Sequence, residues 1–241
     1  MKTELKIAWR YLFSKKQFNA IHIITAISSA AVGVVTAAMI CVLSVMNGFG
    51  VLVEQMFSQF DPDLRITAQT GKSFSISEEK RGELLDLPSV NLLSESITET
   101  ALVYFEDKQM PVQLMGVDSC FAALTEIEQI ITDGHYEVYD GAFDRAVLGQ
   151  GLAWKLGIGA RFVRGIEVYA PKREGKVNML RPDVNFNRET CFISGTFAVN
   201  QQKYDENMML VDINLTRRLL DYSANEVSAL QIGLVEGYST K

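Results

Sequence analysis

The 241-residue sequence predicts an α+β protein in two parts, a transmembrane helix with a stalk followed by a mixed α/β domain. Three observations carry that expectation. From Ala20 to Gly50 there is no Lys, Arg, Asp or Glu, and Ala20–Met46 is apolar enough to form a helix about 40 Å long against a hydrocarbon core of about 30 Å. Beyond Pro62, period-two alternation and helical spacing follow one another in short runs. The composition, 48% hydrophobic and 22% charged with 5 Pro, excludes a disordered or low-complexity chain. A net charge of −6 argues against nucleic acid as a partner. Three cysteines are too few for a disulfide framework.

Residues 1–19 read as a cytoplasmic amphipathic elbow. Leu5, Ala8, Trp9, Leu12 and Phe13 recur at helical spacing, with Lys6 and Arg10 on another face. Lys2, Lys6, Arg10, Lys15 and Lys16 against Glu4 give this segment +4, leaving −10 for the rest of a chain whose total is −6. Basic flanks stay on the cytoplasmic side, so the residues beyond the span are expected outside. Residues 20–60 form the transmembrane helix and stalk. The apolar run is longer than the h-region of a secretory signal, and Ile40 before Cys41 does not suit a lipoprotein signal. Ser29, Gly33 and Ala37 lie four apart, a spacing of small residues that lets helix backbones approach closely. Helical periodicity continues through Val51, Leu52, Gln55 and Met56 until Asp61-Pro62 stops it.

Residues 61–241 form the outer domain. Leu64, Ile66 and Ala68 alternate as in a strand with one buried face. Ser77 before Glu78-Glu79 caps a helix through about Asp86. Residues 99–106 and 109–117 predict a hairpin turning at Asp107-Lys108, and a helix covers 120–131. A further helix follows Gly149 through Leu156, and another spans about Asn214 to Tyr222. Strands are expected at 162–170, 190–198, 208–212 and 227–234.

Catalytic, cofactor and metal sites are not expected. Gly71-Lys72-Ser73 resembles the end of a phosphate loop, but Ile66 stands where that loop needs a glycine. There is no HxxxH, CxxC or GxSxG. A cysteine nucleophile built from His135, Cys191 and Arg217 or Arg218 follows the order of the sortase transpeptidases but lacks their strand motif, so Cys191 reads better as a small apolar strand residue. A Cys120–Cys191 bridge is allowed but not demanded. One loop stands apart in charge. Lys172, Arg173, Lys176, Arg181 and Arg188 outnumber Glu174 and Asp183 to give +3 within an acidic region, and the segment carries Met179, Leu180 and Pro182 at its tip. Apolar residues in a long basic loop mark a partner site.

Ala8-Trp9-Arg10-Tyr11-Leu12-Phe13-Ser14-Lys15-Lys16, the small-residue span, and Leu43-Ser44-Val45-Met46-Asn47-Gly48-Phe49 together resemble the start of the LolC/LolE lipoprotein-releasing permeases of the MacB/FtsX-like superfamily. Met115-Gly116-Val117-Asp118, Val147 to Gly157, Ile193-Ser194-Gly195-Thr196-Phe197 and Lys203-Tyr204-Asp205 extend the resemblance over essentially the whole chain. The VMNGF segment belongs to the lipoprotein-releasing branch, and the other pieces occur across the superfamily. The resemblance implies a MacB-like periplasmic domain on an inner-membrane permease subunit. It implies a partner ABC ATPase, a second permease subunit (identical or homologous), a lipid bilayer and a periplasmic lipoprotein carrier. It also implies three further spans beyond Lys241. By the same resemblance, the carrier loop is Lys172, Arg173, Lys176, Met179, Leu180, Arg181 and Pro182. The rivals are a single-span periplasmic adaptor and a MacB/FtsX-like permease with another substrate.

Overall fold

The structure, a computed structural model, describes residues 3–4, 6–7, 10, 20–58, 62–160, 162–173 and 185–235. The chain divides into two compact units, Met1–Glu54 and Gln55–Lys241. Of the elbow, Thr3, Glu4, Lys6, Ile7 and Arg10 are helical, and its other residues lie outside the described set. Helix α1 runs unbroken from Ala20 to Ser58. Within it, Ile23–Gly50 is long and apolar enough to cross a membrane. The side chains from Ile23 to Gly50 are exposed.

Among its described residues the second unit has eleven strands: β1 (Leu64–Thr67), β2 (Phe74–Ser75), β3 (Val90–Phe105), β4 (Lys108–Val117), β5 (Ile131–Gly134), β6 (Arg145–Gly149), β7 (Ile166–Pro171), β8 (Phe186–Phe197), β9 (Met208–Asp212), β10 (Glu226–Val227) and β11 (Ala229–Leu234). The main sheet runs β1-β11-β3-β4-β9-β6-β8-β5, with β7 bridging β3 and β8. Pairing therefore passes around a closed ring, β3-β4-β9-β6-β8-β7 and back to β3. One edge of β3 is shared, β11 taking Val90 to Ser96 and β7 taking Leu102 to Tyr104. Closure of this kind leaves no unpaired edges among the ring strands over those stretches.

The residues of β3 explain the core. Ile97, Ala101, Val103 and Phe105 alternate onto one face and join Val112, Leu114, Ile166, Val168, Cys191 and Met209 in the largest apolar cluster. Helix α4 (Gln150–Leu156) contributes Leu152 and Leu156, and α6 (Ile213–Leu220) contributes Leu215, Leu219 and Leu220. Asp212 caps α6 by accepting from the Asn214 N–H at 2.8 Å. A second cluster, with Met115, Val117, Phe121, Val147, Phe197 and Leu210, lies on the other face. A third, with Ile76, Leu93, Val227, Leu230 and Ile232, packs beneath α2 (Glu78–Leu85), whose Ser77 cap accepts from the Lys80 N–H.

Four expectations need correction. The helix expected over 120–131 is a single turn α3 (Phe121–Thr125), a left-handed Glu126 and a 3₁₀ turn (Ile127–Ile130) leading into β5. Glu126 at φ 49 cannot continue an α-helix. Strand β1 buries neither face, Leu64 and Ile66 each being 39% exposed, because it is the outermost strand of the sheet. The strand expected over 162–170 is β7, starting at Ile166 and ending at Pro171; Phe162 instead packs edge-on against Phe105. The strand expected over 227–234 is broken at Ser228, whose N–H is spent on the Ser96 carbonyl at 3.0 Å.

Candidate functional site

The basic loop connects two antiparallel strands. The β7–β8 ladder runs from Ile166 opposite Cys191 to Pro171 opposite Phe186, and the Lys172 N–H donates to the Asn185 carbonyl at 2.9 Å. The connection therefore has a hydrogen-bonded root. Lys176, Met179, Leu180, Arg181 and Pro182 lie outside the described residues. The root leaves the sheet where β7 gives way to β11 along the shared edge of β3.

Three of the loop's cations are described, and they differ. Arg173 donates to Glu226 Oε1 at 2.5 Å and its guanidinium lies 4.8 Å from the Tyr222 ring centroid. The same carboxylate oxygen accepts from the Ser73 hydroxyl at 2.5 Å. Burial alone would raise the Glu226 carboxyl, but the Ser73 hydroxyl, Arg173 and the Ser223 N–H together hold it below its ordinary value. Arg173 thus ties the root to the domain. Lys172 lines a cleft of about 360 Å³ with Lys72, Glu99 and Tyr222. Lys72 in turn donates to Glu99 Oε2 at 2.8 Å, which raises its ammonium pKa. Farther along β8, Arg188 approaches Glu167 at 3.6 Å.

The helix residues Ser29, Gly33 and Ala37 occupy successive turns of α1 and are exposed. A Cβ added at Gly33 would meet nothing within 4 Å, so that face is open for an approaching helix.

The residues of the cysteine-nucleophile alternative are not brought together. Cys191 is fully buried in the ring core, and desolvation, helped by Asp144 and Glu189, pushes its thiol pKa up. His135 sits 69% exposed beside Glu137, Nε2 to Oε2 at 3.2 Å. Arg217 donates to Glu95 at 3.0 Å, and Arg218 to Asp144 at 2.6 Å. A thiolate needs positive charge nearby, and Cys191 is instead packed among the apolar side chains of the ring core. Cys41, Cys120 and Cys191 are all free thiols, so the allowed Cys120–Cys191 bridge is not formed. Among the described residues no group of three or more His, Cys, Asp or Glu could hold a metal ion. Gly71-Lys72-Ser73 is a turn, with Gly71 at φ 85.

Two sequence motifs do meet. Gly149 and Gly151, from the Val147–Gly157 run, lie against α5 (Gln202–Asp205), which carries Lys203-Tyr204-Asp205. A Cβ at Gly149 would collide with the Asp205 carbonyl oxygen and sit 2.6 Å from that of Tyr204. Asp205 also accepts from the Val199 N–H at 2.8 Å, and Glu206 from Lys155 at 2.6 Å. The glycines let α4 and α5 pack backbone to backbone.

A helix of membrane-spanning length and a closed α+β domain define the class: a membrane-anchored protein with a folded extramembrane domain. The chain belongs to the family of MacB-like periplasmic core domains, whose sequence profile matches residues 25–234, and so to the MacB/FtsX-like permeases of ABC transporters. No curated protein matches it in sequence. Among solved structures it is similar to the extracellular domain of the noncanonic ABC-type transporter YknZ from Gram-positive bacteria, at 13% identity and TM-score 0.49, covering 72% of this chain and 82% of that one. It is similar to the periplasmic region of MacB from Actinobacillus actinomycetemcomitans, at 7% identity and TM-score 0.47, covering 70% and 75%. A domain of a putative permease protein from Porphyromonas gingivalis matches at 17% identity and TM-score 0.44, covering 66% and 68%.

Proposed function

We propose that this chain is the N-terminal part of a lipoprotein-releasing permease of the LolC/LolE type. Its N-terminus lies in the cytoplasm and residues 61–241 lie in the periplasm, as the +4 flank before the span favours. A separate ABC ATPase subunit supplies the energy, and a second permease subunit packs on the Ser29–Gly33–Ala37 face. The Lys172–Arg188 hairpin docks the periplasmic carrier that receives the lipoprotein.

The observation that carries this reading is the hairpin root. A ladder fixed at Pro171–Phe186 and Lys172–Asn185, and braced by Arg173 on Glu226 and Tyr222, anchors both ends of a segment whose sequence holds basic residues together with Met179 and Leu180. The charge steers an acidic partner, and Met179 and Leu180 supply desolvated contact area. Pro182 restricts the backbone and lowers the ordering cost of binding. The test is binding of the full chain in nanodiscs to its acidic carrier at two salt concentrations. Met179→Ser with Leu180→Ser raises the dissociation rate, and Lys172→Glu slows association and weakens its salt dependence. Wild-type binding by both variants removes the hairpin from the docking role.

A further inference from the structure

The sequence Ser94-Glu95-Ser96-Ile97-Thr98-Glu99-Thr100 sets hydroxyl residues on one face of β3 and other side chains on the opposite face. Neighbouring strands extend the hydroxyl face sideways. Arg65 of β1 stands opposite Gln231 of β11, Gln231 opposite Ser94, and Thr100 opposite Gln113 of β4. Lys203 and Tyr204 of α5 close one side, leaving a cavity of about 150 Å³. That is the volume of about five waters, enough for one oxyanion with a short stem.

The lining has an unusual electrical character. Among the described residues no Asp or Glu lines the cavity, although the chain as a whole is acidic. Arg65 and Lys203 face it without a carboxylate partner among the described residues; the Lys203 ammonium rests only over the Tyr204 ring, 5.2 Å from its centroid. Gln231 is 2% exposed, and its amide Nε2 donates to Ser96 Oγ at 3.2 Å, yet its Oε1 has no partner. The Thr98 hydroxyl is buried and unpartnered too. A buried acceptor left without a donor is unfavourable, so the site is incomplete as it stands.

A ligand that completes it must bring negative charge for the two cations and a hydroxyl donor for Gln231. We propose that this cavity binds the phosphate ester of a small polyol, as in glycerol phosphate. The phosphoryl group lies between Arg65 and Lys203, and a polyol hydroxyl donates to Gln231 Oε1. The same chemistry exists free in solution and as the headgroup of phosphatidylglycerol.

The test uses the full chain in phosphatidylcholine nanodiscs treated with an amine-acylating reagent. The rate of modification at Lys203 is followed by mass spectrometry, with exposed Lys80 as the internal reference. A ligand at about ten times its Kd leaves roughly one site in ten free, so Lys203 modification slows about tenfold while Lys80 is unchanged. Protection by added glycerol phosphate identifies a soluble ligand. Protection only in discs containing phosphatidylglycerol identifies a lipid headgroup. In either case Arg65→Ala and Gln231→Leu each abolish the protection, and glycerol alone gives none. Absence of protection from both sources, or protection undiminished in Arg65→Ala and in Gln231→Leu, overturns the site.

Discussion

Replacing Gly149 by Ala tests why two motifs separated by more than fifty residues belong together. Gly149 has φ −57 and ψ 138, a conformation open to any residue, so the substitution carries no intrinsic backbone strain. The whole cost is steric. The added methyl would fall on the Asp205 carbonyl oxygen, 2.6 Å from the Tyr204 oxygen and 2.7 Å from the Asp205 carbonyl carbon. All three are backbone atoms, so no side chain can rotate out of the way. Helix α5 must move, straining the Val199–Asp205 and Lys155–Glu206 contacts. Overpacking of this kind costs about 2–3 kcal/mol. For a domain of this size each kcal/mol shifts Tm by about 2–4 °C, so a fall of roughly 4–12 °C is expected. Gly82→Ala is the control: Gly82 lies within α2 with nothing within 4 Å, and the change should raise stability slightly, by about 0.5–1 kcal/mol. Thermal unfolding of the two variants, followed by circular dichroism in detergent, gives the comparison. Equal Tm values for Gly149→Ala and wild type would refute backbone packing as the reason for the glycine.

Two further outcomes follow from other parts of the molecule. In a full-length permease, Gly33→Leu should weaken association with the partner subunit by about 1–2 kcal/mol, roughly five- to thirtyfold, while Val42→Leu has little effect. Because nothing lies within 4 Å of the added Cβ in this chain, any loss in detergent pull-down reports a partner helix; equal recovery of both variants counts against the seam. Asp140 is held at about 2 by the N–H groups of Phe143 and Ala142 and by Arg145. Its folded pKa is depressed, so its stabilisation is present above the ordinary Asp value of about 3.9 and is lost as pH falls through about 2. Asp140→Asn should remove that part of the acid dependence, and an Asp140 carboxyl titrating by NMR at its ordinary value would contradict the turn geometry.

The helix boundaries at Ser77 and Leu156, the β3–β4 hairpin and strand β9 were all legible, because each rests on local signals such as a cap, a turn or a short apolar run. The first half of β3 was not. Its Glu95 is 5% exposed and survives there only because Arg81 and Arg217 reach it from α2 and α6, the latter 122 residues away in sequence. A carboxylate in a polar alternation reads as surface until its partners are known. The exposed face of β1 was misread for the opposite reason, since alternating Leu and Ile give the same pattern on an outermost strand as on a buried one. At the basic loop, charge and apolar tip were visible in sequence, whereas Arg173's engagement with Glu226 and Tyr222 depends on folding. The polar cavity at Gln231 left no sequence signal beyond the run of Ser and Thr in β3, because its cations come from β1 and α5.

The proposed lipoprotein release can be measured directly. The full-length permease, reconstituted with its ATPase and partner subunit in proteoliposomes, is loaded with a lipid-anchored lipoprotein, and its appearance on the soluble carrier is measured. Release should require ATP and should fall at least tenfold when Met179 and Leu180 are both replaced by Ser, with ATP hydrolysis retained. ATP-dependent transport that delivers no lipoprotein to the carrier, or release unchanged by the double substitution, would contradict the account.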